Sequence, residues 1–358
     1  MSIYDYKYEI DYKWLSPKVK TDRDYDLLNP KERKLFFTKY FGKDISNIRE
    51  YLKNNTFICY VVAPKMAGKG TYLGLMKEII GEKYFTTLSV GDLFRNAHTE
   101  YLKKEKQSDI YKYIIKNYRG YLSPDELIDA LINRNTKTVC PTELALILIK
   151  RAIDSIGHKT IFIDGFPRTE DQISYSLYMR DLIGYREDPD YFMYINIPVS
   201  LIDLRIKDRR NCPKCGNSKN LKTNPSSICV INKKSGELEM FCDNPSCSKE
   251  LLKSKEGDHL GIKNIEKRIE TDLKLVQMTQ KLYGIPKIEV YNSIPVKNYK
   301  DYLNEFEVTK EYYFETINKE LVRKEKDLVF TENGISYVSL LPSANVIQII
   351  RQINHYVQ

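Results

Sequence analysis

No segment of this 358-residue chain approaches the run of about 20 apolar residues that a membrane-spanning helix needs. The first residues include Asp5, Glu9 and Asp11 and contain no apolar core stretch, which is not typical of a signal peptide. No long basic block is present either, because 57 basic residues are spread along the chain among 48 acidic ones. These absences predict a soluble cytoplasmic protein without a membrane partner, and they disfavour a dedicated nucleic-acid surface.

What is present is an ordinary globular composition, with 42% hydrophobic and 29% charged residues. The length is sufficient for one large domain or two ordinary ones with a substantial core. The net charge of +9 would suit a nucleic-acid surface and would equally suit a pocket for nucleotide polyphosphates.

From Thr56 onward, apolar strand-like runs alternate with helical patterns. This alternation predicts an α/β fold whose parallel sheet is covered by helices on both faces. Two stretches interrupt it, the largely helical 96–140 and the Cys-rich 211–257, and both are candidates for moving insertions. The predicted strands are Phe57–Ala63, Tyr84–Ser89, Thr160–Asp164, Tyr191–Ile197 and Ile288–Asn292.

The two ends of the chain, 1–56 and 301–358, contain no motif that carries chemistry. In the first, alternation over 4–14 predicts an amphipathic strand, followed by a helix from Pro30 that Gly42 closes and a second helix over 44–53. In the second, Asn333-Gly334 predicts a hairpin turn between 327–331 and 335–341, and Pro342 begins a final amphipathic helix. Such amphipathic elements would pack onto the core, onto a partner or onto a second copy.

The first chemical signal is the turn after the first apolar strand, Ala63-Pro-Lys-Met-Ala-Gly-Lys-Gly-Thr71. Backbone N–H groups that converge at a helix N-terminus bind phosphate oxygens, and a lysine there neutralises the β and γ phosphates. The consensus G-x-x-x-x-G-K-[ST] has Gly at the place of Ala63 and Ser or Thr at the place of Gly70. An ordinary strand-to-helix turn with a surface lysine would give a similar pattern.

Three further segments resemble the adenylate kinase family. Ser89-Val-Gly-Asp-Leu-Phe-Arg95 is similar to that family's S-T-G-D-M-L-R, and Asp164-Gly-Phe-Pro-Arg-Thr169 with Gln172 is similar to its D-G-F-P-R-T-x-x-Q. Arg205-x-x-x-Arg209-Arg210 before Cys-Pro-x-Cys resembles the root of its lid. The resemblance covers residues 57–300 and implies a P-loop NTPase-like fold, with a core of 57–95, 141–210 and 258–300, an NMP-binding insertion over 96–140 and a lid over 211–257.

The resemblance also implies an activity, the transfer of the γ-phosphoryl group of Mg-ATP to AMP to give two ADP. We expect the protein to be a monomer. Its implied catalytic residues are Lys69, Asp164, Arg168, Arg205 and Arg209. Its implied ATP-binding residues are Ala67, Gly68, Lys69, Gly70, Thr71 and Arg205. Its implied AMP-binding residues are Val90, Gly91, Arg95, Leu122, Gly165, Arg168, Gln172, Arg209 and Arg268.

The chemistry of these side chains fits the implied roles. Asp164 ends an apolar strand, where it can position Mg²⁺ through water, although an Asp capping the next turn would look alike. The guanidinium groups of Arg95 and Arg168 match phosphate geometry, although Arg95 could also be a solvated helix residue. Gln172 can read an adenine edge with its paired donor and acceptor. Leu122 lies in a segment similar to the edge of the family's base pocket, and Ser123-Pro124 would also cap a helix there.

The cysteines form the last signal. Five of the seven lie between Cys212 and Cys247, and four of these make two close pairs, Cys212 with Cys215 and Cys242 with Cys247. Two pairs of thiolates suit a structural Zn²⁺ that would fold a small polar lid, with Cys229 as a spare or alternate ligand.

Further positions depart from the family pattern. Lys65 and Met66 replace Pro and Gly in the phosphate turn, and Val90 replaces a Thr that contacts the acceptor. A lid-side arginine expected near Gly257 is missing. These departures leave two alternatives open, namely UMP, CMP or another acceptor, and a nucleotide-binding scaffold with reduced or lost activity.

Overall fold

The computed structural model describes residue 3 and residues 8–133, 140–177, 189–232, 236–255, 257–317 and 320–358. Its strands are β1 Ile58–Val62, β2 Phe85–Ser89, β3 Thr160–Asp164, β4 Asp190–Asn196, β5 Arg209–Asn211, β6 Ser218–Asn220, β7 Ile228–Ile231, β8 Leu238–Phe241, β9 Lys287–Tyr291, β10 Ser293–Pro295, β11 Lys310–Ile317, β12 Glu320–Asp327, β13 Val329–Glu332 and β14 Ile335–Ser339. Its α-helices are α1 Pro30–Asn54, α2 Lys69–Ile80, α3 Val90–Lys104, α4 Asp109–Asn117, α5 Pro124–Ile132, α6 Thr142–Ile156, α7 Glu170–Leu177, α8 Val199–Lys207, α9 Glu266–Gln280, α10 Tyr299–Tyr302 and α11 Pro342–Val357. Short 3-10 helices span Tyr12–Trp14, Glu105–Gln107, Asp258–Ile265 and Glu305–Glu307.

The central sheet has five strands in the order β2-β3-β1-β4-β9, and every neighbouring pair is parallel. All five residues of the middle strand β1 are buried, as expected for a strand with helices over both faces. The predicted α/β class is confirmed, and each of the five predicted strands matches an observed strand to within one residue at either end.

The predicted break at Gly42 is wrong, because α1 continues through it. Phe37, Phe41, Ile45 and Ile48 lie at helical spacing on both sides of Gly42, and all four are buried. A glycine inside a helix costs about 1 kcal/mol, whereas burying each large apolar side chain stabilises by about 1.5–3 kcal/mol. Core packing therefore outweighs the local helix-breaking tendency.

The predicted N-terminal strand is also not observed over residues 8–14, and residues 4–7 of that prediction lie outside the described residues. A short 3-10 helix over Tyr12–Trp14 forms instead, because the Asp11 carboxylate accepts the Lys13 N–H at 3.0 Å. The Tyr12 ring stacks on that of Tyr302, with centroids 4.5 Å apart. The N-terminal segment therefore packs on the C-terminal one without extending a sheet.

The C-terminal prediction is confirmed. β13 and β14 form an antiparallel hairpin whose turn residues Asn333 and Gly334 both have positive φ, 50° and 76°. The following helix α11 packs against α1, α2 and β9. A second hairpin, β11–β12, was not predicted. Both ends of the chain thus pack onto the core and onto each other.

Two smaller units extend from the core. Helices α3 to α5 and the start of α6 share their own apolar cluster, and α3 begins at Val90 within the predicted core. Strands β5 to β8 form two short hairpins around a cluster of Cys212, Met240, Cys242 and Leu252. Residues 134–139, 233–235 and 256 of the predicted insertions lie outside the described residues. Within the described ranges, no helix combines the length and the apolar character that crossing a bilayer requires.

Candidate active site

A cleft of about 1100 Å³ lies at the carboxyl ends of strands β1, β2 and β3. This is the edge of a parallel sheet at which ligands bind in open α/β folds. The structure brings all but one of the predicted nucleotide-site residues to this cleft. The lining residues from the prediction are Ala67, Gly68, Lys69, Gly70, Thr71, Val90, Gly91, Arg95, Asp164, Gly165, Arg168, Gln172, Arg205, Arg209 and Arg268.

The phosphate turn connects β1 to α2, and Gly68 caps the helix with a positive φ of 98°. A Cβ atom at Gly68 would lie 2.7 Å from Cζ of Tyr72, so both the backbone angle and the space require glycine. Nζ of Lys69 donates to the carbonyls of Ala63 at 2.8 Å and Pro64 at 3.3 Å. The ammonium group is thereby held directly over the turn.

Asp164 occupies the centre of the site because it ends β3, in register with Val61 of β1 and Ser89 of β2. Its Oδ1 lies 3.8 Å from Nζ of Lys69. Burial lowers the pKa of Lys69, and the Asp164 carboxylate opposes that shift. The pair combines a cation for phosphate with an acid that is able to hold a hydrated Mg²⁺.

The first half of the turn contacts the root of the Cys-rich unit through Met66. The Met66 carbonyl accepts from Nη1 of Arg205 at 3.0 Å, and its Sδ lies 3.3 Å from Nη1 of Arg209. Arg209 also makes a buried two-point contact with Asp258, with distances of 3.0 and 2.7 Å. Both arginines thus face the phosphate turn in this structure.

On the other side of the cleft, Arg95 forms a close, exposed ion pair with Asp92 one turn before it on α3. Arg168 is more enclosed, and desolvation lowers its pKa, although a guanidinium keeps its charge. One exposed and one largely enclosed cation therefore border this end of the cleft.

Gln172 is buried, and its amide is already engaged. Its Oε1 accepts the backbone N–H of Arg168 at 2.8 Å, and its Nε2 donates to Oγ1 of Thr142 at 3.2 Å. In this arrangement Gln172 supports Arg168. The one predicted residue that does not line the cleft is Leu122, whose N–H donates to the Tyr118 hydroxyl at 3.0 Å and to the Glu143 carboxylate at 3.2 Å.

Two acidic residues of the site were not predicted. Asp258 pairs with Arg209, and Asp272 lines the cleft four residues after Arg268 on α9. Because residues four apart share a helix face, the predicted site residue Arg268 was the sequence signal that could have indicated Asp272. Asp258 directly follows Gly257, near which the family pattern has a lid-side arginine, and this position was the sequence signal that could have indicated Asp258.

The four paired cysteines come together in the Cys-rich unit, with all four Sγ atoms within 4.8 Å of one another. Cys212 and Cys247 are 3.6 Å apart, as are Cys215 and Cys242. Four sulfur atoms at about 2.3 Å from a tetrahedral Zn²⁺ would have nearly this spacing. The Asn217 N–H contributes most to lowering the pKa of Cys215 to about 7, which favours a thiolate ligand. Cys229 lies outside the group, and its thiol donates to the Ser226 carbonyl at 3.0 Å.

The chain is 31% identical over 212 residues to an adenylate kinase of Clostridium novyi, covering 59% of this chain and 78% of that protein. It is 33% identical over 172 residues to one of Clostridium acetobutylicum (47% of this chain, 66% of that protein) and 29% identical over 161 residues to one of Thermotoga petrophila (45% and 61%). No family model matches the chain. Its similarity over most of the Clostridium novyi protein, together with the parallel sheet and the phosphate turn, means that the chain belongs to the adenylate kinase family.

Proposed function

We propose that this protein transfers the γ-phosphoryl group of Mg-ATP to AMP, giving two ADP. The observation that carries the proposal is that one cleft collects Lys69, Asp164, Arg95, Arg168 and Arg209. Phosphoryl transfer requires little covalent help from a protein, since alignment of two nucleotides and neutralisation of spreading charge do most of the work. Membership of the adenylate kinase family supports kinase activity on a nucleoside monophosphate.

On this proposal the donor phosphates bind at the N-terminus of α2. The backbone N–H groups of Gly68–Thr71 would donate hydrogen bonds to their oxygens, and Lys69 would exchange its contacts with the Ala63 and Pro64 carbonyls for contacts with phosphate. Asp164 would hold Mg²⁺ through water, and the ion would supply further neutralisation of the phosphate charge.

Arg95 and Arg168 would grip the acceptor phosphate, and Arg268 would support it from α9. Arg95 must leave Asp92 to do so, which costs little because that ion pair is exposed. Arg205 and Arg209 lie at the other side, next to Met66, where they would stabilise the transferred group.

The two units outside the sheet fit the roles of the family's insertions. We infer that α3 to α5 form the acceptor-side insertion and that residues 211–257 form a lid. Because this lid buries only a small apolar cluster, we infer that Zn²⁺ held by Cys212, Cys215, Cys242 and Cys247 folds it, without taking part in the chemistry.

A coupled assay of the purified protein with Mg-ATP and each nucleoside monophosphate tests the proposal. We expect ADP formation with AMP as the best acceptor, and a Lys69→Met variant provides the background rate. Formation of ADP no faster than in that variant would contradict the kinase assignment. Faster turnover with UMP or CMP would correct the acceptor, an alternative that Val90 at the cleft favours.

A second candidate is a nucleotide-binding scaffold with reduced activity. The observation that favours it is the backbone of Met66, whose φ of 69° lies in the left-handed region inside the phosphate turn. ATP binding without ADP formation from any monophosphate would support this candidate.

A further inference from the structure

Asp272 touches the phosphate turn, although none of the steps above uses it. Its Oδ2 accepts the backbone N–H of Lys65 at 3.2 Å. Lys65 belongs to the Ala63–Met66 half of the turn, which departs from the family pattern. Asp272 itself lies on α9, in the wall of the cleft.

The surroundings of Asp272 are strongly cationic. Burial raises the pKa of the Asp272 carboxyl group, and the nearby cations Lys69, Arg268 and Arg168 oppose that shift by favouring the ionised form. A carboxylate in a phosphate site repels the ligand, since like charges at short range are unfavourable. The presence of this charge therefore requires a compensating benefit, and the hydrogen bond that Asp272 accepts from the Lys65 N–H indicates where that benefit lies.

The benefit is that Asp272 stabilises the conformation of the phosphate turn. Asp272 holds the N–H of Lys65, and Arg205 holds the carbonyl of the next residue, Met66, at 3.0 Å. The Lys65-Met66 dipeptide is thus hydrogen-bonded at its N–H end to a side chain of α9 and at its carbonyl end to a side chain of α8. Because the φ of Met66 is 69°, an unfavourable angle for a residue with a Cβ, the dipeptide needs such external support to keep its conformation.

We propose that Asp272 is a positioning residue for the donor nucleotide. Through the Lys65 N–H it fixes the altered half of the turn, so that the Gly68–Thr71 amides remain directed at the donor phosphates. This inference rests on the proposed function in one respect, since it takes ATP as the donor.

Two substitutions separate the hydrogen bond from the charge. Asp272→Asn keeps an acceptor for Lys65 and removes the negative charge, whereas Asp272→Ala removes both. We expect Asp272→Asn to bind Mg-ATP at least as tightly as the wild type in calorimetric titrations. We expect Asp272→Ala to bind it about fivefold more weakly than Asp272→Asn, the factor that corresponds to one hydrogen bond. The two variants should bind AMP equally.

Glu270→Ala is the matched control, because Glu270 is an exposed acid on the same helix. It should leave both affinities within about twofold of the wild type, as surface substitutions usually do. If Asp272→Ala does not fold, Asp272→Val, which also lacks an acceptor and is closer in shape, replaces it with the same expectation.

Equal ATP affinity of the Asn and Ala variants would overturn the inference, as would an equal loss of ATP and AMP binding in the Ala variant. A wild-type protein that binds ATP and forms no ADP would end the kinase proposal and leave this comparison valid. A wild-type protein that binds no ATP would overturn both.

Discussion

The side chain of Gln348 bonds to both backbone groups of Tyr291, accepting its N–H at 2.9 Å and donating to its carbonyl at 3.0 Å. Gln352 does the same with Glu289, at 2.7 Å for both bonds. Residues four apart in a helix are separated by about 6 Å along its axis, and residues two apart in a strand by about 6.6 Å. The two glutamines of α11 are therefore spaced to match the two residues of β9. Glutamine side chains of helix α11 therefore form hydrogen bonds with the backbone N–H and carbonyl groups at the outer edge of β9, where a sixth strand would otherwise pair.

Replacing Gln348 by Leu should lower the free energy of unfolding by about 1–3 kcal/mol, because it leaves a buried N–H and a buried carbonyl of Tyr291 without partners. Urea denaturation followed by far-UV circular dichroism measures the change. Gln358→Leu makes the same chemical change at an exposed position and should shift stability by less than about 0.5 kcal/mol. Equal stabilities of the two variants would show that the edge contacts contribute nothing.

Met66→Gly should strengthen ATP binding and raise kcat/KM for ATP several-fold. Glycine adopts the observed φ of 69° without the steric cost of about 1–2 kcal/mol that a Cβ brings, and it removes the side chain beside Arg209. Steady-state kinetics with varied ATP test this expectation, and Met278→Gly, on α9, controls for the loss of a methionine elsewhere. An unchanged or lower kcat/KM would show that the Met66 side chain does not crowd the nucleotide.

The pH profile of kcat/KM for ATP should fall on its alkaline side at a lower pH than a free lysine would dictate. Burial lowers the pKa of Lys69, so its ammonium group loses a proton, and with it the phosphate-binding charge, as pH rises through that lowered pKa. Lys69→Arg should reduce the rate but abolish this alkaline limb, because arginine remains charged. An identical limb in the Arg variant would assign the titration to another group.

Zinc analysis by mass spectrometry of protein purified without added metal should find about one zinc per chain, as four thiolates form one tetrahedral site. Cys242→Ser should lose the metal and make residues 211–257 sensitive to protease, whereas Cys229→Ser should keep it, since Cys229 lies outside the cysteine group. A wild-type protein without zinc, or a Cys242→Ser variant that retains it, would contradict the lid proposal.

Local pattern was enough to predict the elements that lie deepest in this molecule. The middle strand is a continuous apolar run, Ile58–Val62. Of the motif residues, Asp164 is the last residue of a strand, and Lys69 begins the helix after the turn that follows the middle strand. Parallel strands bring their carboxyl ends to one edge, so sequence order alone placed these residues together. The same local reasoning failed at Gly42, where an intrinsic helix-breaking tendency is smaller than the burial of the residues around it.

The sequence by itself determined the α/β class, the phosphate turn, the arginine-rich cleft and the cysteine group, because each depends on residue type and short-range spacing. Only the tertiary structure decided the partners of individual polar groups. Asp272 and Lys65 are 207 residues apart in the chain, and Gln348 and Tyr291 are 57 apart. Periodicity predicts which face of an element is buried, but the partner of a buried carboxylate or amide depends on how whole elements pack, which no local pattern encodes.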